Sequence, residues 1–542
     1  MYKPSCHNGH TDRDSNQEKA VPSIMNTEPI VLDPTVAAFT EDQHVNDLGT
    51  THFIGIGGAG MSVLAEMLHE QGVHVTGSDR EHNAKTERLE TLGIPVAIGQ
   101  RADNVRDAST VVYSSAIKPD NPEIIAAAEH GAHIVHRSDI LALLMNHHDA
   151  VAVAGAHGKT TTSSLLSHIL VHAGTDDLAD PSYAIGGTIQ GPDGQTLDGG
   201  HAGAGRVLVA EADESDGSFA KYRPAIAIIT NAEADHLDHY GTPDHYCEAF
   251  VAYASHARDY IVMTADDPGA LDVLRGLDDA VMHRTVIYTT QSRQLITDAV
   301  AQAADATIVT ITSESEHAGN GEEQFTIDMP ATLTGDEHAI PVSLKIPGIH
   351  NARNATAAII TATLLGMDPD TAAQAAGSFL GASRRFQVRG QEKQVTVVDD
   401  YAHHPTEITA LLNAARRRYP DATIRVLFQP HLFSRTKFFA REFAQALALA
   451  DDVIVTGIYP AREKQEDFPD ITAQTIVDAA QGIEHEPADW IRAVDDMHTA
   501  ALMMAMRAHH GDVVFTVGAG DITAMGPVLL HALEAHRENC EG

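Results

Sequence analysis

Positive charge is scarce in this chain: 36 Lys and Arg stand against 75 Asp and Glu, a formal charge of −39 over 542 residues. That balance excludes general binding to DNA, RNA or an anionic membrane surface, which all ask for a basic face. Cysteine is rare as well. Cys6, Cys247 and Cys540 are odd in number, far apart and free of any C-x-x-C pair, which excludes a disulfide framework or zinc ribbon and fits a reducing compartment. No run approaches about 18 apolar residues, and the N-terminus has no apolar core behind a basic start. Neither a membrane span nor a secretory leader is expected, and a cytoplasmic setting is the default.

What is present reads as globular. Hydrophobic residues make up 43% and charged residues 20%, and the length suits two to four domains. The 33 histidines are mostly scattered, and only those inside motifs are taken as candidates. Residues 1–48 are polar and aperiodic and read as a flexible tail. Strand, glycine turn and helix then alternate through three consecutive α/β domains, placed at 49–149, 150–382 and 383–542. Gly-rich polar stretches at 191–205 and 317–323 read as surface loops.

Four motifs carry chemistry. Gly55-Ile56-Gly57-Gly58-Ala59-Gly60 lies between a strand and a helix, with Asp79 about 20 residues on, as a Rossmann fold needs for a pyrophosphate at a helix N-terminus and an acid near a ribose. This pattern does not separate a nicotinamide dinucleotide from a UDP-sugar. Gly155-Ala156-His157-Gly158-Lys159-Thr160-Thr161 is a short phosphate loop: its N–H groups would cradle ATP, Lys159 would meet the terminal phosphates and Thr160 would face Mg²⁺. Two acidic segments follow strands, Glu211 to Asp216 and Thr230 to His236. Their oxygens suit Mg²⁺, and the imidazole of His236 can complete a second metal position. Basic residues cluster at Arg384 and Arg385 and again at Arg435, Lys437, Arg462 and Lys464, as anion clamps in an acidic chain. The segment Asp399 to Pro405 reads as a ligand loop.

The ordered set GIGGAGMS, GAHGKTTT, EADESDGSF, ITNAEADHLDHYG, PGIHNARNATAA, GASRRFQ, DDYAHHPTEI, QPHLFSRT and AREK resembles the Mur ligase family, and within it the branch that adds alanine. The resemblance implies a Rossmann-like UDP-binding domain, a central P-loop ATPase domain and a Rossmann-like C-terminal domain on the amino-acid side. It implies that ATP phosphorylates the lactyl carboxylate of UDP-N-acetylmuramate and that the amine of L-alanine attacks the acyl phosphate, giving an amide, ADP and phosphate. By the same token Gly55, Gly57, Gly58, Ala59, Gly60, Ser78 and Asp79 would meet the UDP-sugar. Gly155, Ala156, His157, Gly158, Lys159, Thr160 and Thr161 would hold ATP, with His350, Asn351 and Asn354 on the adenine side. Lys159 would neutralise the migrating phosphoryl group. Thr160 and Glu211 would hold one Mg²⁺ and His236 the other. Arg385 would reach the γ-phosphate on domain closure, and Tyr401, His403, His431 and Arg435 would line the amino-acid side.

Two positions depart from the wider family pattern. Many members carry a modified lysine soon after the aspartate-histidine pair, but 237–255 contains none and Phe250 sits near that place; the alanine-adding branch lacks it too. Leu432 stands where many alanine-adding members have arginine, which leaves Arg435 as the expected carboxylate anchor. Three other readings compete: a recycling ligase that attaches a tripeptide to the same sugar nucleotide, a nicotinamide-dependent dehydrogenase and a non-catalytic nucleotide-binding regulator.

Overall fold

The computed structural model describes residues 30–190, 196–313, 322–461 and 463–535. The chain divides into two units, 1–31 and 32–542; in the first, only Ile30 and Val31 are described, in neither helix nor strand. Arg462, Cys6 and Cys540 lie outside the described residues, as do 191–195 of the first expected Gly-rich loop and 317–321 of the second; the rest of the first is not all loop, since it holds the short strands Thr196–Leu197 and Gly200–His201, the latter pairing with Ser182–Ala184.

The second unit contains three large sheets. The first has strand order 96–98, 75–79, 51–54, 110–113, 133–136, parallel throughout. The order reverses beside Thr51–Ile54, which feeds the GIGGAG turn, so that turn opens at the crevice where such sheets hold ligands. The second sheet has ten strands. Its strand Asp149–Ala154 lies between Val207–Glu211 and Ile226–Ile229 with parallel pairing on both sides. The run from Ala150 to Ala154 is wholly buried, because helices cover both faces of such a sheet and the strand therefore reads as continuous small apolar residues. The third sheet has six strands. An antiparallel edge strand, Gln387–Glu392, precedes five parallel ones centred on Val395–Asp400, Val513–Val517 and Ile424–Phe428.

Two helices fix the central phosphate loop. Lys159–Ala173 buries Leu165, Leu166, Ile169 and Leu170, the apolar positions legible at helical spacing. Ile349–Leu364 packs across it and carries the H-N-x-x-N residues in its first two turns.

Residues 32–48, expected as part of a flexible tail, pack instead. Ala38 donates its N–H to Asp139 Oδ1 at 3.2 Å, and Lys221 Nζ donates to Pro34 O at 2.8 Å. Ala38 and Phe39 lie against the apolar core and Leu48 is part of it. A few apolar anchors suffice to seat a polar segment, and such anchors leave no periodic trace.

Candidate active site

The glycine turn of the first sheet is shaped from below. Gly55 has φ +77°, and the N–H groups of Gly55 and Ile56 both donate to Ser78 O. Asp79 Oδ2 accepts from Gly57 N–H at 2.8 Å. A Cβ on Gly57 would lie 2.6 Å from Asn83 Nδ2 and 2.9 Å from Asp79 Oδ2, so any side chain here would have to displace those two. Ser78 is fully buried, and its hydroxyl donates to Glu123 Oε2 at 2.7 Å. Its side chain therefore supports the turn from within. Gly58, Ala59 and Gly60 enter the helix Ala59–Glu70. Gly60 faces Arg137, whose Nη1 is 3.1 Å from where a Cβ would stand.

In the central loop, Gly155 (φ +139°) and Gly158 (φ +84°) adopt conformations that side chains resist. A Cβ on Gly155 would meet Thr230 Oγ1 at 2.1 Å, and one on Gly158 would meet Asn354 Oδ1 at 2.8 Å. Ala156 lies between Gly155 and His157. The His157 carbonyl accepts from Thr230 Oγ1 at 2.5 Å and Asn231 Nδ2 at 2.8 Å, and its N–H donates to Asn231 Oδ1. The turn is thus tied to the next strand end, and Thr161 follows in the first turn of the helix.

Lys159 Nζ donates to Glu214 Oε1 and Oε2 at 3.0 and 2.8 Å and to Gly155 O at 2.5 Å. Burial would pull its ammonium down, but Glu214, Asp213 and Glu211 outweigh it and hold the pKa above the ordinary range. Glu211 behaves oppositely. Burial raises its carboxyl above the usual value despite Lys159, a Gly186 N–H at 3.1 Å and the Thr160 hydroxyl. A half-buried carboxylate beside a hydroxyl is a donor set that a hard cation suits. His236 sits at φ +54° with Nε2 3.7 Å from Glu214 Oε1 and 3.8 Å from Asp235 Oδ2.

The C-terminal sheet closes over this group. Arg435 Nη2 donates to Asp235 Oδ2 at 3.0 Å; burial would raise the Asp235 carboxyl, yet Arg435 and His236 hold it far below the usual range. Arg385 lies 5.2 Å from the Tyr401 ring centre, with Nη1 3.6 Å from Glu407 Oε1. Tyr401, His403 and His431 form a chain of rings, 5.4 Å and 5.7 Å between successive centres, and His431 stacks on Tyr459. Arg384 is engaged within the C-terminal sheet's own loops, bonding Asp399 Oδ2 at 3.2 Å and Gly518 O at 2.5 Å. Lys437 and Lys464 are exposed. Leu432 is buried at φ +71°, its N–H donating to Tyr459 O at 2.9 Å.

A cavity of about 690 Å³ runs between the two sheets, lined among others by His157, Gly158, Thr161, His350, Asn354 and Arg385. Asn351 lines it as well and holds Pro347 O at 2.7 Å. Burial pushes the His350 imidazole down to about 4. Phe250 is fully buried, with ring centres of Phe219 and Tyr246 at 4.9 and 5.0 Å. Aromatic core therefore fills the place near which a modified lysine was sought.

Several partners were not legible in the sequence. Glu214 pairs with Lys159. Glu407 accepts from His403 N–H at 2.9 Å and lies 3.3 Å from His157 Nδ1 as well as beside Arg385. Arg137 donates to Asp213 Oδ2 at 2.5 Å, joining the first sheet's unit to the acidic segment. Nothing in the sequence around Arg137 marks it, because it meets Gly60 and Asp213 only through folding.

The matches to known proteins follow the same order as these three sheets. The description Mur ligase family, catalytic domain, fits residues 50–149; Mur ligase middle domain fits 153–362; Mur ligase, glutamate ligase domain, fits 384–520. The chain belongs to the Mur ligase family. The UDP-N-acetylmuramate–L-alanine ligase of Bifidobacterium adolescentis is 70% identical over 515 residues, covering 95% of this chain and 98% of that protein. The ligase of the same name from Paenarthrobacter aurescens is 44% identical over 491 residues, 90% of this chain and 98% of that one. Among solved structures, the UDP-N-acetylmuramate-alanine ligase of Thermotoga maritima matches with a TM-score of 0.70 at 29% identity, over 91% of this chain and 100% of that chain.

Proposed function

We infer that this chain is an ATP-dependent ligase of peptidoglycan precursor synthesis, forming the amide between the lactyl carboxylate of UDP-N-acetylmuramate and L-alanine. The observation that carries the reading is the convergence on one cavity of the phosphate loop, the acidic strand ends and the basic and aromatic residues of the C-terminal sheet. Phosphoryl transfer needs little covalent help from a protein, and such a site works by positioning and charge neutralisation. The identity to alanine-adding relatives over nearly the whole chain favours alanine over a tripeptide.

In this reading the turn of Gly55, Gly57 and Gly58 brings the UDP diphosphate close to the helix N-terminus, where Ala59 and Gly60 open the helix, while Ser78 and Asp79 hold the turn in shape by engaging its N–H groups. Gly155 to Thr161 wrap the ATP phosphates, and His350, Asn351 and Asn354 border the adenine. Lys159 leaves Glu214 to follow the transferred phosphoryl group. Thr160 and Glu211 on one side, and His236 on the other, would hold Mg²⁺, which would supply charge neutralisation. Arg385 reaches the γ-phosphate. Arg435 gives up part of its pairing with Asp235 to anchor the amino-acid carboxylate, with Tyr401, His403 and His431 around it. The lactyl carboxylate oxygen attacks the γ-phosphorus and the bond to ADP breaks, giving the acyl phosphate; the alanine amine then attacks its carbonyl carbon, the carbon–nitrogen bond forms, the carbon–oxygen bond to phosphate breaks, and the amine's proton passes to water.

The test is phosphate release with Mg-ATP and UDP-N-acetylmuramate, with and without L-alanine, and the product's mass. Release that needs all three and a mass gain of one alanyl residue is the expected result. Stimulation by a tripeptide in place of alanine would assign the recycling reaction, and no stimulation by either would overturn the ligase reading.

A further inference from the structure

One group of ligand-type side chains in the described residues joins His157 of the phosphate loop to two residues, Glu233 and His404, that have no part in the reaction as derived. His157, Glu233 and His404 come from the phosphate loop, the end of the adjacent strand and the loop before the helix Pro405–Arg418. One donor atom from each lies within 4.8 Å of the other two. His157 Nε2 is 3.1 Å from Glu233 Oε2, and His404 Nδ1 is 3.9 Å from Glu233 Oε1.

His404 is the independent observation. Its residue is 3% exposed, and neither ring nitrogen has a hydrogen-bond partner. A buried imidazole with two idle nitrogens is costly unless something meets them. Phe439 packs edge-on against the ring at 4.9 Å and fixes its orientation, while the His157 ring stands 5.1 Å away. Behind His157, Nδ1 is 3.3 Å from Glu407 Oε1, the carboxylate-backed imidazole that typically supports a metal ligand. Thr406 Oγ1 donates to Glu233 Oε1 at 2.7 Å and restrains the third donor.

We propose that His157, Glu233 and His404 form a zinc-binding site that bridges the phosphate loop and the C-terminal sheet, separate from the positions of Thr160, Glu211 and His236. Two imidazole nitrogens and one carboxylate oxygen are borderline donors that select Zn²⁺ over Mg²⁺. Ligands at about 2.0–2.1 Å from zinc stand about 3.3 Å apart, so the present group, whose donors lie within 4.8 Å of one another, needs to contract. Three protein ligands leave a fourth position open. Because Glu233 and His404 belong to different sheets' loops, a bound ion cross-links the two and holds the cavity closed.

The experiment uses the full chain, stripped of metal, with Mg²⁺ kept in excess so that the other metal positions are not available to zinc. Zinc is added, the protein is desalted and retained metal is measured; X-ray absorption reports the donor atoms. The native chain is expected to retain one zinc per chain with two imidazoles in its first shell. His404→Gln and Glu233→Gln should each weaken retention at least about tenfold, the lower bound for loss of even an outer partner, whereas His236→Gln should keep it. No retained zinc in the native chain would overturn the proposal. So would retention unchanged in both His404→Gln and Glu233→Gln, or loss caused by His236→Gln alone.

Discussion

Replacing Lys159 by methionine keeps the length of the side chain and removes its charge. The side chain of Glu214 is only 2% exposed, so the substitution leaves a buried carboxylate without its cation. Breaking one side of a buried ion pair costs about 3–5 kcal/mol. For a domain of roughly 150–250 residues each kcal/mol lowers the melting temperature by about 2–4 °C, so the ligand-free variant should melt about 6–20 °C lower. Adding Glu214→Gln removes the stranded charge, and the double variant should regain most of that loss. Catalysis should not recover, because no cation is left to follow the phosphoryl group: phosphate release stays near background in both variants. Binding of UDP-N-acetylmuramate, measured by titration calorimetry, should remain close to native, since its glycine turn stands on another sheet. Two results would refute this reasoning. One is a double variant as unstable as Lys159→Met; the other is loss of sugar-nucleotide binding in parallel with turnover.

Gly155→Ala puts a methyl 2.1 Å from Thr230 Oγ1 at φ +139°, a conformation that costs on the order of 1–3 kcal/mol before the clash; the KM for ATP should rise at least about tenfold in steady-state assays. Arg435→Ala should raise the KM for alanine by about 10–150-fold, the equivalent of a charged hydrogen bond of about 1.5–3 kcal/mol, with the KM for the sugar nucleotide unchanged. His157 is driven up from 6.5 to about 9: burial opposes its charge, but Glu407 and Glu233 prevail. A raised histidine pKa stabilises the folded state fully below about 6.5, and that contribution fades as pH rises through about 9. The melting temperature of the metal-free native chain should therefore fall across that window, and the metal-free His157→Gln curve should be flatter there.

The two glycine turns were legible because their chemistry is local. A strand, a turn needing positive φ and a helix N-terminus occupy a dozen residues, and the Gly55 and Gly155 segments announce themselves in that way. The acidic strand ends were legible by placement after Val207–Glu211 and Ile226–Ile229. What escaped the sequence acts across distance. Glu407 joins His157 to Arg385 and His403 through folding of separate sheets, and nothing in its own neighbourhood marks that role. Asp79 could be found by spacing, but the spacing does not reveal that its carboxylate is already engaged by Gly57. The packing of residues 32–48 depends on isolated contacts such as Ala38 with Asp139, which carry no period.

Arg435 meets Asp235 across 200 residues of chain, and this separation has a consequence for how the protein is made. At about 5–20 residues per second on the ribosome, Asp235 is synthesised about 10–40 s before the arginine that balances it, and the central sheet, whose last strand is His338–Leu344, is complete about 5–20 s before it. During that interval the nascent chain owns a phosphate loop and no amino-acid side. ATP can be held but its phosphoryl group has no assembled acceptor chemistry to enter, so birth order itself separates nucleotide capture from the power to use it.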